Sequence, residues 1–176
     1  MPTTAAPTYV VDVYWVQGDR LARVPIRFAS EPDIDTMLAV LRTGPDAKSA
    51  QAGLRSALPQ TELIRFAAAR GGTATVELDP AFLTLPGTEQ VFAFAQIVFA
   101  VTGVPGVGQV VFQIDGVPIV VPSSDGRPLV TPVSRDDYTS LLTAGISETT
   151  TTSTTVAPTT TTSTVPPTTV RRRRRA

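Results

Sequence analysis

"TEQVFAFAQIVFAVTG", residues 88–103, decides how this chain folds. It has the length of a helix, no internal proline or glycine, and Gly103 as its stop. Val91, Phe94, Val98 and Val101 make one apolar face, Phe92 and Phe99 lie on another, and Ala93, Ala95, Ile97 and Ala100 fill most of the rest. Gln96 is the polar exception. A helix resting on one face of a sheet needs a single apolar stripe, so one that is apolar nearly all round must be covered on further sides. The cover comes either from the chain's own C-terminal segment, through Tyr138, Leu141 and Leu142, or from a partner. In the second case Phe92 and Phe99 are the candidate interaction surface.

The segments around this helix read as extended pairs. "QVVFQI" (109–114) and "VPIVV" (117–121) flank Asp115-Gly116, the residue types that a type I′ hairpin turn prefers. Upstream, "ELIRFAAAR" (62–70) and "TATVELD" (73–79) flank Gly71-Gly72. "YVVDVYWV" (9–16) and "LARVPIRF" (21–28) flank the turn "QGDR", and Pro25 confines the second of them to an edge or a bulge. A first helix is predicted over 33–44. Ile34, Met37, Leu38 and Leu41 share a face at helical spacing, Asp33 and Asp35 suit its positive end, and Gly44-Pro45 stops it. "SRDDYTSLL" (134–142) reads as a short last helix, with Ser134 as cap and Asp136 and Asp137 in its first turn. The order β-β-α-β-β-α-β-β-α predicts an α+β fold: a mixed or antiparallel sheet with two main helices packed on one face.

Composition removes whole classes of chemistry. The sequence contains no cysteine and no histidine, which excludes thiol nucleophiles, histidine bases, disulfides and Cys/His metal sites. No cofactor and no metal are expected. Arg171, Arg172, Arg173, Arg174 and Arg175 are five of the fifteen basic residues. Residues 1–170 therefore hold ten basic against fifteen acidic groups, a net of minus five, which argues against specific nucleic-acid binding. No run reaches the roughly 18 apolar residues of a membrane helix. The opening "MPTTAAPTYVV" has neither a basic nor an apolar signal region, and residues 1–8 read as a Pro/Thr linker, as a start placed inside a longer protein would. Residues 9–147 are the expected folded domain. Residues 148–170 are expected to be a disordered spacer, with thirteen threonines, two serines and three prolines between 149 and 170. Residues 171–176 form a basic end suited to weak, salt-sensitive attraction to anionic polymers.

Three stretches offer candidate site chemistry. "GPDAKSAQAGLRSALP" (44–59) lacks the glycine a phosphate loop needs before its Lys-Ser pair, since Ala47 precedes Lys48, and it follows a helix instead of opening one. It reads as a connector pinned at Ala50, Leu54 and Leu58, with Lys48 and Arg55 as solvated charges. "GVPGVG" (103–108) has the wrong glycine order for a dinucleotide fingerprint. Glu77, Asp79 and Asp115 are the carboxylates from which a hydrolase would be built. Asp33, Asp35, Asp136 and Asp137 are already accounted for by their helix ends.

The blocks "LAVLRTGP", "AGLRSALPQTELIRFAAARGGTATVELDPAFL", "FAQIVFAVTGVPGVGQVVFQIDGVPI" and "VSRDDY" together resemble the GerMN domain, found in sporulation and spore-germination proteins and in envelope lipoproteins. The resemblance spans about residues 9–142. It implies a compact fold resembling ring-building modules and no catalytic centre. It marks Gly44, Pro45, Gly53, Leu54, Arg55, Pro59, Asp79, Gln96, Asp115 and Gly116 as motif or structural positions. It implies a non-enzymatic assembly module of the bacterial cell envelope, outside the cytoplasm, with protein partners there or with further copies of itself; the expected contact is the sheet edge or the face of the second helix, with the tail as tether or spacer. The alternatives are a carboxylate hydrolase of envelope material and a polyanion binder acting through the arginine end.

Overall fold

A computed structural model describes residues 8–58, 63–130 and 132–143. The expected linker at 1–8 (but for Thr8), the spacer at 148–170, the basic end at 171–176 and Pro59 lie outside the described residues. Strands β1 (Tyr9–Gln17) and β2 (Arg20–Phe28) form a hairpin closed by Gly18-Asp19. Two helices follow, α1 (Ile34–Thr43) and the five-residue α2 (Ala47–Gln51). Strands β3 (Ile64–Arg70) and β4 (Thr73–Leu78) form the second hairpin. A 3-10 helix (Pro80–Thr84) leads into α3 (Gly87–Val101). Then come β5 (Gln109–Ile114), β6 (Val117–Pro118), β7 (Val121–Pro122) and β8 (Pro128–Leu129), and a closing 3-10 helix (Arg135–Leu141).

The main sheet has the order β3-β4-β5-β6. It is mixed because β4 and β5 run parallel, joined by α3 as the crossover, while the outer pairs are antiparallel. Alternation along β4 buries Ala74, Val76 and Leu78 on one face, beside Val110 and Phe112 of β5. Phe94 of α3 meets that face, its ring centroid 4.8 Å from Phe112 and 4.8 Å from Phe82 of the first 3-10 helix. Phe99, five residues on and so about 140° round the helix, stacks instead on Tyr14 of β1, with centroids 4.5 Å apart. The helix is therefore held between the mixed sheet and the β1–β2 hairpin, with α1 alongside. That is why it is apolar nearly all round.

Local chemistry sets the boundaries. The Asp33 carboxylate accepts the Thr36 amide at 2.8 Å and opens α1. Asp115 and Gly116 have φ of 50° and 75°, the pair of left-handed residues that a type I′ turn requires. Pro25 sits opposite Asp12, at a position whose nitrogen faces away from β1, so the ladder loses no donor.

Three local expectations are corrected. "VPIVV" is not one strand: β6 pairs with β5, where Ile119 adds one last main-chain bond to Phe112 O at 2.9 Å, and the chain then leaves that sheet so that β7 pairs with β8. The last helix is 3-10 over Arg135–Leu141, although Asp137 does accept from the Ser134 amide at 2.7 Å and from its hydroxyl at 3.1 Å. Ala50, Leu54 and Leu58 do not share a helix face. Helix α2 ends at Gln51, Gly53 turns the chain at φ 83°, Ala50 is exposed, and Leu58 alone of the three is fully buried.

Candidate interaction site

Strand edges decide what this fold presents to a partner. On β1 the outer edge is taken by the connector. Val16 and Arg55 exchange main-chain bonds, 2.8 Å from Val16 N to Arg55 O and 2.9 Å back. The next rung of that ladder would join Tyr14 to Ala57, two residues further along each segment. There the two segments part, and the Gln96 side chain fills the gap. Its Nε2 donates to Tyr14 O at 2.7 Å and its Oε1 accepts from Ala57 N at 2.7 Å. Gln96 is 1% exposed, so its amide is a buried rung that ties α3 into the hairpin and the connector.

Arg55 is likewise corrected from a solvated charge to a bidentate partner of Glu89, with both bonds at 2.6 Å. Both side chains keep substantial exposure, so the pair contributes on the order of 1 kcal/mol or less. Lys48 is exposed, and Gly44 and Pro45 close α1 as expected.

On β2, Pro25 interrupts the outer edge and Leu21 O accepts from the Thr143 amide at 2.9 Å. β5 is an inner strand, covered by β6 and by Val133, which exchanges two main-chain bonds of 2.8 Å with Val110, and the sheet's edge on this side is the two-residue β6, where Pro118 supplies no outward amide. The outer edge of β3 is open among the described residues. Arg70–Thr73 closes the two-residue turn, so the amides of Arg70, Ala68 and Phe66 face β4, and those of Ala67 and Ala69 face away from the sheet. Phe66 and Arg70 project from the sheet face opposite α3, together with Ala68, and Phe66 is 56% exposed.

The carboxylates singled out for hydrolysis converge at the far end of the same strand, around a residue the sequence reading passed over. A bulge between Ile64 and Phe66 turns Arg65 out of the alternation. Arg65 donates to Asp79 at 2.8 Å and 3.1 Å and to Asp115 at 3.0 Å, and Glu77 accepts the Gly116 amide at 3.3 Å. Asp79 also caps the first 3-10 helix through the Ala81 amide at 2.9 Å. The Ala81 amide first, and Arg65 second, hold the Asp79 carboxyl below the usual carboxylate range. A general acid needs the opposite shift. The corner is a structural tie between β3, β4 and the β5–β6 turn.

Asp33, Asp46 and Asp125 are also held low, each chiefly by hydrogen bonds to its own capped turn. A carboxyl depressed in the folded state stabilises it above the unfolded pKa and stops doing so as pH falls through the folded value. Stability is thus expected to drop below about pH 4. Fluorescence of the single tryptophan, Trp15, 1% exposed, reports it during urea unfolding at stepped pH. Asp79→Asn should flatten part of that decline, and an unchanged pH profile would disprove the Asp79 contribution.

Phe92 and Phe99 are corrected as a surface: they are 3% and 1% exposed, covered by the chain itself. Tyr14 covers Phe99 from one side, and the Arg135 guanidinium lies 5.2 Å from its ring centroid. Tyr138 is buried in the same closing segment and donates to Pro122 O at 2.8 Å. Among the described residues no cluster of three or more acidic groups is placed to hold a metal, and no helix is long and apolar enough to cross a membrane.

The family described as "Germane: Sporulation and spore germination" matches residues 12–120. No curated protein matches the sequence. The fold is similar to the tandem GerMN domains of the sporulation protein GerM from Bacillus subtilis, at 20% identity and a TM-score of 0.52, over 80% of this chain and 50% of that one. This chain thus spans half the length of that tandem structure. It is similar also to the first GerMN domain of the same protein, at 17% identity and a TM-score of 0.52, over 73% of this chain and 98% of that one.

Proposed function

This chain belongs to the Germane family of sporulation and spore germination, and from that membership we propose that it is a non-enzymatic assembly module of the bacterial cell envelope, acting outside the cytoplasm. The observation that carries the reading is the open edge of β3. The outer edge of β1 is paired at Val16 and Tyr14, that of β2 is met at Leu21 and interrupted at Pro25, and β5 lies inside its sheet, whereas Ala67 and Ala69 point outward amides from an uninterrupted alanine run beside an exposed Phe66. An unguarded edge is a template for strand addition by another chain. In this reading the Thr/Ser/Pro segment at 148–170 is a spacer between the module and its basic end.

The test is a photo-reactive residue placed at Phe66 and, as a control, at Val130, which is 82% exposed and directly follows β8 in a different sheet. After irradiation of cells and separation of envelope from cytosol, position 66 should yield protein adducts in the envelope fraction and position 130 should not. Recovery of the protein from the cytosol alone, or equal labelling at the two positions, would overturn the proposal.

A further inference from the structure

We propose that the occupant of the β3 edge is a second copy of this chain, with β3 pairing antiparallel to its counterpart about a two-fold axis at Ala68. The inference rests on the reading of β3 as the interaction site and names the partner. Only Ala67 and Ala69 offer outward amides clear of the turn and the bulge. Setting Ala67 against the Ala69 of the other copy, and Ala69 against its Ala67, makes two hydrogen-bonded pairs, each exchanging two main-chain bonds. In that register Ala68 faces Ala68, and Phe66 of each copy faces Arg70 of the other.

This juxtaposition is chemically complementary. Phe66 is exposed with no aromatic neighbour, and Arg70 has no ion pair among the described residues. A guanidinium over an aromatic face attracts it, and the two-fold axis repeats the contact. The neighbouring registers fail. One centred on Ala67 draws the bulged Arg65, already committed to Asp79 and Asp115, into the ladder. One centred on Ala69 sets Phe66 opposite the Gly71-Gly72 turn. The run Ala67-Ala68-Ala69 presents no bulk and no charge to keep a second strand away. The stretch Phe66–Arg70 is short of the roughly 20–30 residues a side in a standard interface. The dimer is therefore weak, and it forms where the chains are locally concentrated.

The absence of cysteine makes the test clean. In the full-length chain, Ala68→Cys places two thiols at a non-hydrogen-bonded rung on the two-fold axis, where side chains approach most closely. Under mild oxidation it should form a disulfide dimer at least ~10-fold faster than Val130→Cys, because pairing raises the effective thiol concentration. Sedimentation velocity of the unmodified chain should show the weight-average mass rising with concentration. Ala69→Pro removes one outward donor and leaves the β3–β4 ladder intact, so it should hold the mass at that of a monomer. Buried Trp15 fluorescence confirms that the variant is folded. Should that variant unfold, Arg70→Glu gives a second reading, since an acid facing Phe66 weakens the same dimer. Equal oxidation rates at positions 68 and 130, with a mass that stays monomeric, would overturn self-pairing. If Phe66 then still photo-labels a different envelope protein, the assembly role stands without the dimer; if it labels nothing, both fall.

Discussion

Gln96→Leu is expected to lower the unfolding free energy by about 4 kcal/mol, because two buried main-chain groups lose their partners and each costs roughly 1–3 kcal/mol unpaired. Leucine is close to glutamine in volume, so the loss reads the hydrogen bonds and not a cavity. The groups left behind are the Tyr14 carbonyl and the Ala57 amide, both in residues under 10% exposed. Against a total of roughly 5–15 kcal/mol for a domain, that single change removes much of the margin. Urea unfolding followed by Trp15 fluorescence measures it. Gln96→Glu separates bonding from packing. A protonated carboxyl can still donate to Tyr14 O and accept from Ala57 N, whereas the ionised form turns a charge against the carbonyl. Its folded pKa is therefore raised above the unfolded value. The stability it retains is fully present below the unfolded pKa, about 4.3, and disappears as pH rises through the folded value. The glutamate variant should thus recover stability relative to the leucine variant as pH falls toward 4. If both variants lose less than about 1 kcal/mol, the typical net worth of one exposed bond, Gln96 is not a rung of the ladder.

Gln96 also shows how much could be read in advance. Its oddity within residues 88–103 was plain, since an isolated amide in an apolar helix requires a partner. Which partner was not legible, because the rung it completes joins segments 82 and 39 residues away. The hairpins at Asp115-Gly116 and Gly71-Gly72 were legible because turn type depends on a few adjacent residues. The parallel pairing of β4 and β5 was not, as it depends on where α3 carries the chain. The short 3-10 helix at Pro80–Thr84 did leave a signal: Asp79-Pro80 is a capping residue followed by a proline at the first helical position. That a sheet edge could serve for association was legible, but that β3 is the open one was not. An edge is defined by what fails to pair with it, and that requires the whole sheet order. Arg65 escaped for a related reason: a bulge, invisible to a period-two reading, turns it toward Asp79 and Asp115.

Phe99→Ala is the second large effect, and it separates a core residue from a contact residue. Truncating a fully buried phenylalanine costs about 3–5 kcal/mol through lost burial and the cavity left behind. Phe99 carries more than burial: Tyr14 stacks on one side of it and the Arg135 guanidinium lies over both rings, 5.2 Å from Phe99 and 5.7 Å from Tyr14. Removing the ring leaves Tyr14 of β1 without its stacking neighbour and loosens the closing 3-10 helix that Arg135 begins. Urea unfolding should therefore show a loss in this range with an unchanged slope, since the surface exposed on unfolding is the same. The β3 edge lies on the main sheet, which α3 meets through Phe94 on another side of the helix. Below the unfolding transition, Phe99→Ala should therefore keep the concentration-dependent mass of the unmodified chain, while Ala69→Pro abolishes it. A residue working as an interface would do the reverse, losing association while keeping stability. That pattern for Phe99→Ala would restore the partner-facing reading of this helix and count against the burial that places Phe99 in the core.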